Sequence, residues 1–328
     1  MTENNTANGF TNDFRSAQPQ HASAACASPT EEHLVFAPAL STADWNAEWR
    51  QMQNARNRPD NSAEWDARAL NFPADAQAGP YACRFIELMG IRPGETVFDM
   101  GCGTGAIALP LGELGHKVVA ADFSQGMLDR MQAVIESQGI RTVFSKLMSW
   151  DEDWAAKGVR TGMVDICVAS RSIATHDLRD SLLRLTDIAR RRVCITLPTG
   201  SSPRTDERIL SELGLSDAVF RQHLYAICIL ANEGLFPRVD YIQSQRYETF
   251  SSHEEAAESL QRMIDNAAGA VTTEAQRQSA YARLHAWLND NLVANDHVGS
   301  LDKHGLPQKA LRLRNPRVIT WAFISWDK

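Results

Sequence analysis

The sequence predicts an α/β protein built on a doubly wound, mostly parallel sheet. Three observations carry that reading. From residue 96 to 197, strand-like apolar runs alternate with stretches of helical periodicity, the mark of repeated βαβ units. Two of those runs, 164–169 and 192–197, are apolar nearly throughout, as strands covered on both faces must be. Finally, Val97-Phe98-Asp99-Met100-Gly101-Cys102-Gly103-Thr104-Gly105 joins an apolar strand to three alternating glycines and then to a helix start at Ala106-Ile107-Ala108-Leu109. Such a turn lets a ligand lie against bare backbone at the carboxyl end of a parallel strand.

Residues 1–30 are rich in Asn, Thr, Ser, Ala and Gln, and no basic segment precedes an apolar one. They read as a disordered tail, not a secretory signal. Residues 31–80 read as a helical cap. Trp45 and Trp49 are four apart and share a helix face. A short helix over 61–70 has Asn61 or Ser62 as its cap, and Pro73 and Gly79-Pro80 break the chain after it.

The core spans 81–200. It opens with a helix over 81–89, with Phe85, Leu88 and Met89 on one side, and a turn at Arg92-Pro93-Gly94. Next come strands at 96–100, 117–121, 141–147, 164–169 and 192–197, with helices at 125–137 and 177–189. Beyond 200, helices are expected at 205–213 and 216–235, the second capped by Ser216. A strand over 239–250, helices over 253–267 and 273–292, and a closing strand over 317–326 complete the chain. Region 201–328 thus finishes the sheet, with a helical insertion at about 253–312 expected to form a lid over its carboxyl edge.

Composition narrows the function classes. Of 328 residues, 33 are Lys or Arg and 40 are Asp or Glu, a net charge of −7. That balance argues against a nucleic-acid partner, because phosphate binding needs a cationic surface. The six cysteines are scattered without a C-x-x-C pair, so no metal site is expected and a reducing compartment is. No run is apolar enough to span a bilayer. The expectation is a soluble cytoplasmic protein of unassigned oligomeric state.

Two ligands compete for the glycine loop. Gly101 to Ala106 satisfies the loose G-x-G-x-x-G/A dinucleotide pattern. Asp99, two residues upstream, would however oppose a pyrophosphate held at the helix N-terminus. A cationic ligand suits it better, and S-adenosylmethionine carries an ammonium and a sulfonium with no phosphate. Asp122, at the end of the second strand, can accept hydrogen bonds from ribose hydroxyls of either ligand.

Residues 92–105, Arg-Pro-Gly-Glu-Thr-Val-Phe-Asp-Met-Gly-Cys-Gly-Thr-Gly, closely resemble the first motif of class I S-adenosylmethionine-dependent methyltransferases. Ala121-Asp122-Phe123-Ser124-Gln125-Gly126-Met127-Leu128 resembles their second. The resemblance covers 81–200 well and the last strand loosely. It implies the seven-stranded Rossmann-like methyltransferase fold, with S-adenosylmethionine as cofactor and S-adenosylhomocysteine as product. It also implies a cofactor site of Asp99, Gly101, Cys102, Gly103, Gly105, Asp122, Phe123, Ser124, Trp150, Asp151 and Ser170, with Phe123 on the adenine. Ser149-Trp150-Asp151 departs from the family's usual acid-then-small pair at the third strand's end. Ser170 and Arg171 end the fourth strand, which in this family faces the transferred methyl group.

Methyl transfer from a sulfonium is an in-line displacement, and a general base is needed only where the acceptor starts protonated. His176 and Tyr225 are the candidate catalytic residues, with His223 also on the acceptor side. Arg171 and Trp65 are candidate substrate contacts. The bland alternatives are an ion pair of Arg171 with Asp177 or Asp180, and His176 as a helix-entry residue. The expected reaction methylates an N, O or C atom of a small molecule. The alternatives are an RNA or protein methyltransferase, an NAD-dependent dehydrogenase, or a cofactor-binding scaffold without turnover.

Overall fold

Five parallel strands are joined by helices, except between 147 and 164, and the runs that begin at 97, 118 and 189 stop at Gly101, Asp122 and Pro198. In the computed structural model, described over residues 43–56, 61–69, 78–268, 272–302 and 306–328, these are β1 (Val97–Met100), β2 (Val118–Asp122), β3 (Val143–Leu147), β4 (Val164–Ser170) and β5 (Ala189–Pro198). β6 (Arg238–Arg246) and, after the short strands β7 (Thr249–Phe250), β8 (Leu292–Ala294) and β9 (Leu311–Leu313), the long β10 (Arg317–Asp327) complete the set.

The main sheet has seven strands in the order β3-β2-β1-β4-β5-β10-β6. β1 to β5 run parallel, and β10 runs antiparallel to both β5 and β6. The order reverses at β1, which lies between β2 and β4. Open α/β sheets bind ligands outside the carboxyl ends of the strands at such a switch point. The fold expected from the sequence, an α/β doubly wound, mostly parallel seven-stranded sheet of Rossmann-like methyltransferase type, is the one observed.

The helices are α1 (Trp45–Arg56), α2 (Ser62–Ala69), α3 (Pro80–Met89), α4 (Ala108–Glu113), α5 (Gln125–Gln138), α6 (Leu178–Ile188), α7 (Glu207–Glu212), α8 (Gln222–Asn232), α9 (His253–Ala268) and α10 (Glu274–Asn291). Strand alternation divides β1 between two cores. Phe98 and Met100 pack with Trp49, Leu182, Leu230 and Trp326 on one face. Val97 packs with Phe85, Leu109, Met131 and Phe323 on the other. Asp99 shares the face of Val97. At the opposite edge Arg190, Arg191 and Arg192 are consumed by ion pairs to Asp165, Glu95 and Asp327.

The segment after β5 differs from the expectation in three places. The run 216–235 is not one helix: a 3-10 turn, Ser216–Ala218, precedes α8, and Arg221 holds the N-cap position that Ser216 was expected to fill. The cause is packing: Leu215 and Ala218 enter a third core, whereas Ala226, Ile229 and Leu230 enter the first, so the chain must turn a corner between them. The run 239–250 also splits, with 238–246 in the main sheet and Thr249–Phe250 in a separate three-stranded sheet, β7-β9-β8. The helix read at 205–213 shortens to α7, because Asp206 caps it through the backbone N–H groups of Arg208 and Ile209.

The insertion builds that third core from α7, α9, α10 and the small sheet, through Ile209, Leu260, Ile264, Leu284 and Leu313. The tail over 1–30, the first part of the expected cap and Pro73 lie outside the described residues. Among the described residues no helix is long and apolar enough to cross a membrane, and no three His, Cys, Asp or Glu side chains converge.

Candidate functional site

The glycine loop is shaped by two different demands. Gly101 has φ +74°, and a Cβ there would sit 2.3 Å from the Cβ of Ser172, so the loops after β1 and β4 meet over a bare backbone. Ser172 closes the same junction by donating its hydroxyl to the Met100 carbonyl at 2.6 Å. Gly103 has φ +56°, yet a Cβ on it would meet nothing within 4 Å. The protein leaves the space over Gly103 open.

Asp122 fixes this loop to the start of α5. Its Oδ2 accepts from the Gly103 amide at 2.8 Å and its Oδ1 from the Ser124 amide at 2.9 Å. Burial pushes its pKa up, opposed by those amides. Ser124 caps α5 by accepting from the Met127 amide at 3.2 Å, and donates its hydroxyl to Asp66 Oδ1 at 2.6 Å. The Gly126 amide donates to the same Asp66 oxygen at 2.9 Å. So α2 rests its one central acid on the second motif.

Asp99 is the anomaly. It is 1 % exposed, and neither carboxylate oxygen has a hydrogen-bond partner. Burial first, and the charge of Asp122 second, push its pKa up to about 7. An unpaired buried carboxylate is costly and calls for a cationic partner. These residues fit a ligand with an ammonium group, and they do not fit a pyrophosphate.

A second constellation lies at the ends of β4 and β5, where Ser170 and Thr196 are register partners. The Tyr81 hydroxyl, from the first turn of α3, lies 2.8 Å from Thr196 Oγ1 and 3.0 Å from Ser170 Oγ. Arg171 stacks its guanidinium over the Tyr81 ring, 4.3 Å from the centroid. Its amide donates to Thr196 Oγ1 at 3.0 Å, and its φ is +62°, the one positive value at a non-glycine among the described residues. Such strain persists only where surroundings impose it. Asp177 and Asp180, the ion-pair partners considered for Arg171, instead pair with Arg50 and Arg184.

The remaining expected residues occupy varied settings. Cys102 is buried, and burial pushes its thiol pKa well up, so it is a spacer in the loop. Phe123 is half-buried beside Asp122. The Trp150 ring packs on Trp154 at 5.4 Å, and its carbonyl accepts from Arg184 at 3.2 Å. Asp151 is exposed, and its amide donates to Ser149 Oγ at 3.2 Å. Trp65 lies under the Arg68 guanidinium at 5.0 Å.

His176 is exposed and pairs through Nε2 with Asn54 Oδ1 at 3.0 Å. The Tyr225 hydroxyl donates to Glu48 Oε1 at 2.7 Å, and burial with that carboxylate pushes its pKa up to about 12. His223 is buried with Nδ1 unpartnered, and burial lowers its pKa. No described contact joins these three to Asp99, Asp122 or Tyr81. Around them α1 pins the loop after β4: Trp49 Nε1 donates to the Thr175 carbonyl at 2.8 Å, and Asn46 Nδ2 to Asp177 Oδ1 at 2.9 Å.

Tyr81, Thr196 and Asp66 were not expected from the sequence. A tyrosine directly after Gly79-Pro80 is the only local signal for the first. The other two are ordinary strand and helix residues until the chain folds.

Parts of the chain are similar to known proteins. Residues 97–191 match the family model of the methyltransferase domain. An uncharacterized protein of Haemophilus influenzae is 28% identical over 184 residues, covering 56% of this chain and 67% of that protein. Nocamycin O-methyltransferase of Saccharothrix syringae is 34% identical over 98 residues, covering 29% of this chain and 34% of that enzyme. The chain thus spans about a third of the length of that second relative. The solved structure of the YcgJ protein of Bacillus subtilis superposes with a TM-score of 0.45 at 12% identity, over 76% of this chain and 97% of that one. Residues 97–191, which span the glycine loop, the second motif and the switch point of the seven-stranded sheet, thus form a region that matches the methyltransferase domain, with S-adenosylmethionine as the cofactor that domain implies.

Proposed function

We propose that this chain methylates a nitrogen, oxygen or carbon atom of a small molecule. The observation that carries the cofactor half of this reading is the unpartnered buried carboxylate of Asp99 beside the open space over Gly103. When bound, S-adenosylmethionine supplies a methyl group already activated by its sulfonium. The residues of the chain then have only to bind, orient and exclude water. Asp99 takes the ammonium, the amides of 101–105 approach as bare backbone, and Asp122 accepts from the ribose. Phe123 and Ser124 flank the adenine, with Trp150 and Asp151 at its far edge. Ser170 lines the methyl end. This chemistry requires no proton transfer from His176 or Tyr225 when the acceptor lone pair is free.

Three observations support a small acceptor. The net charge of −7 disfavours a polyanion. α1 is pinned over the loop between β4 and α6, which narrows access from that side. The insertion grows from the edge where β5 ends and β10 begins, and would serve as a lid with the helices of 43–80. The name of the Saccharothrix relative also points to a small organic acceptor.

Titration calorimetry tests the cofactor: S-adenosylhomocysteine should bind and NAD should not, and the reverse would overturn the assignment. A metabolite screen read by homocysteine release tests the acceptor class. Turnover only on RNA or a protein would overturn it.

A further inference from the structure

Arg171 is exposed, and its left-handed backbone lays its side chain on the Tyr81 ring. Among the described residues its guanidinium has no carboxylate partner, and its one described contact is the face of Tyr81. Asp99, by contrast, is a buried carboxylate with no partner. Both charges act on the same phenol: burial raises the pKa of Tyr81, the Arg171 cation lowers it and the Asp99 carboxylate raises it. No ion pair joins Arg171 to Asp99. The residue after Arg171 is Ser172, which packs on bare Gly101 and bonds to the Met100 carbonyl, so the arginine is tied to the glycine loop itself. Its backbone is held in the left-handed region by Thr196, and its side chain is steadied by a ring whose hydroxyl is tethered twice. A guanidinium laid on an aromatic face keeps its donor edges free for a carboxylate.

We infer that Asp99 and Arg171 are the two poles of a receptor for an α-amino-acid head, Asp99 taking the ammonium and Arg171 the carboxylate of the cofactor, with Tyr81 as the positioning residue between them. The inference rests on the methyltransferase reading and moves Arg171 from the acceptor to the cofactor. An α-amino acid presents both charges on one carbon. A site that reads both must keep a cation and an anion close without letting them neutralise each other. Tyr81, tethered to Ser170 and Thr196 with its ring under the Arg171 guanidinium, would do that by holding the cation in place.

The test uses the full chain and three ligands. S-adenosylhomocysteine carries the whole head. 5′-Deoxy-5′-(3-aminopropylthio)adenosine keeps the ammonium and lacks the carboxylate. 5′-Methylthioadenosine lacks both. By calorimetry, Arg171→Met should weaken S-adenosylhomocysteine about tenfold, the scale of a lost charged hydrogen bond, and leave the aminopropyl ligand within about twofold. Arg171→Lys should recover part of the loss. Asp99→Asn should weaken both ammonium-bearing ligands and spare methylthioadenosine. Tyr81→Leu should copy the carboxylate-selective pattern of Arg171→Met, whereas Tyr81→Phe keeps the ring and most of the affinity.

Equal losses for all three ligands in Arg171→Met would mark a structural role and overturn the inference. So would unchanged affinity for S-adenosylhomocysteine, which would return Arg171 to the acceptor side. Failure of the wild-type chain to bind any of the three would instead overturn the methyltransferase reading on which the inference stands.

Discussion

At the scale of single residues, the site is governed by a charge the free protein cannot satisfy. The carboxyl of Asp99 stands near 7, well above its ordinary 3.8, because burial disfavours the anion. Its contribution to the stability of the free protein is therefore complete below about pH 4 and is lost as pH rises through about 7. An ammonium ligand stabilises the anion and lowers that value, so binding below pH 7 must release a proton. Affinity for S-adenosylhomocysteine should fall as pH drops below about 7, and calorimetry in buffers of different ionisation enthalpy should detect the released proton. In Asp99→Asn both the proton release and this limb of the pH dependence should vanish.

Asp122 adds a second prediction. Both its oxygens already serve backbone amides, so Asp122→Ala should loosen the glycine loop as well as weaken cofactor binding, by roughly 1–3 kcal/mol. A thermal melt beside the titration separates the two effects. Both acids were legible in the sequence because their neighbours in the chain define their place. Tyr81 was not, since its partners Ser170 and Thr196 lie 89 and 115 residues away.

At the scale of elements, α2 shows how an N-terminal helix attaches to the loop and helix that follow β2. Asp66 accepts from Ser124 and Gly126, and Arg130 Nε donates to the carbonyl of Ala69 at 2.9 Å, so both ends of the contact are tied to α5. The absence of a side chain at 126 permits it: a Cβ there would lie 3.1 Å from Asp66 Cα. Gly126→Val should therefore lift α2 away while the sheet stays folded. Hydrogen exchange over 62–69 should quicken, the amides of β1 and β4 should stay protected, and S-adenosylhomocysteine should dissociate faster. The five parallel strands were readable in advance because apolar runs and breakers are local signals. The corner between Ser216–Ala218 and α8 was not, because neither Val219, Phe220 nor Arg221 is a breaker. It exists because two cores compete for the flanking side chains, and that competition is visible only in three dimensions.

At the scale of the whole molecule, the question is how the third core is held to the catalytic sheet. The link is ionic and dry. Arg317, at the start of β10, is 3 % exposed at its side chain and lies between Glu248 at 2.6 Å and Asp206 at 3.8 Å, whose side-chain exposures are 17 % and 3 %. It also donates to the carbonyls of Ser202 and Pro203 at 3.3 and 3.0 Å. One guanidinium thus gathers the loop after β5, the cap of α7 and the approach to β7, the segments by which the chain leaves and re-enters the main sheet. Replacing it by Met keeps the volume but leaves Asp206 to Arg208 and the first amides of α7, and Glu248 to Arg246 alone. Because each carboxylate keeps a second cation, the cost should stay below the about 3–5 kcal/mol of leaving a buried charge with no partner. Because the third core has its own apolar contacts, the loss should fall on the junction first. Arg317→Met should split a single thermal transition into two, the earlier one reporting on 207–219 and 249–313. Adding S-adenosylhomocysteine should raise the later transition, which contains Asp99 and the glycine loop. If the insertion closes over the acceptor, the variant should retain cofactor affinity while losing turnover, and calorimetry beside the homocysteine-release assay would read the two separately.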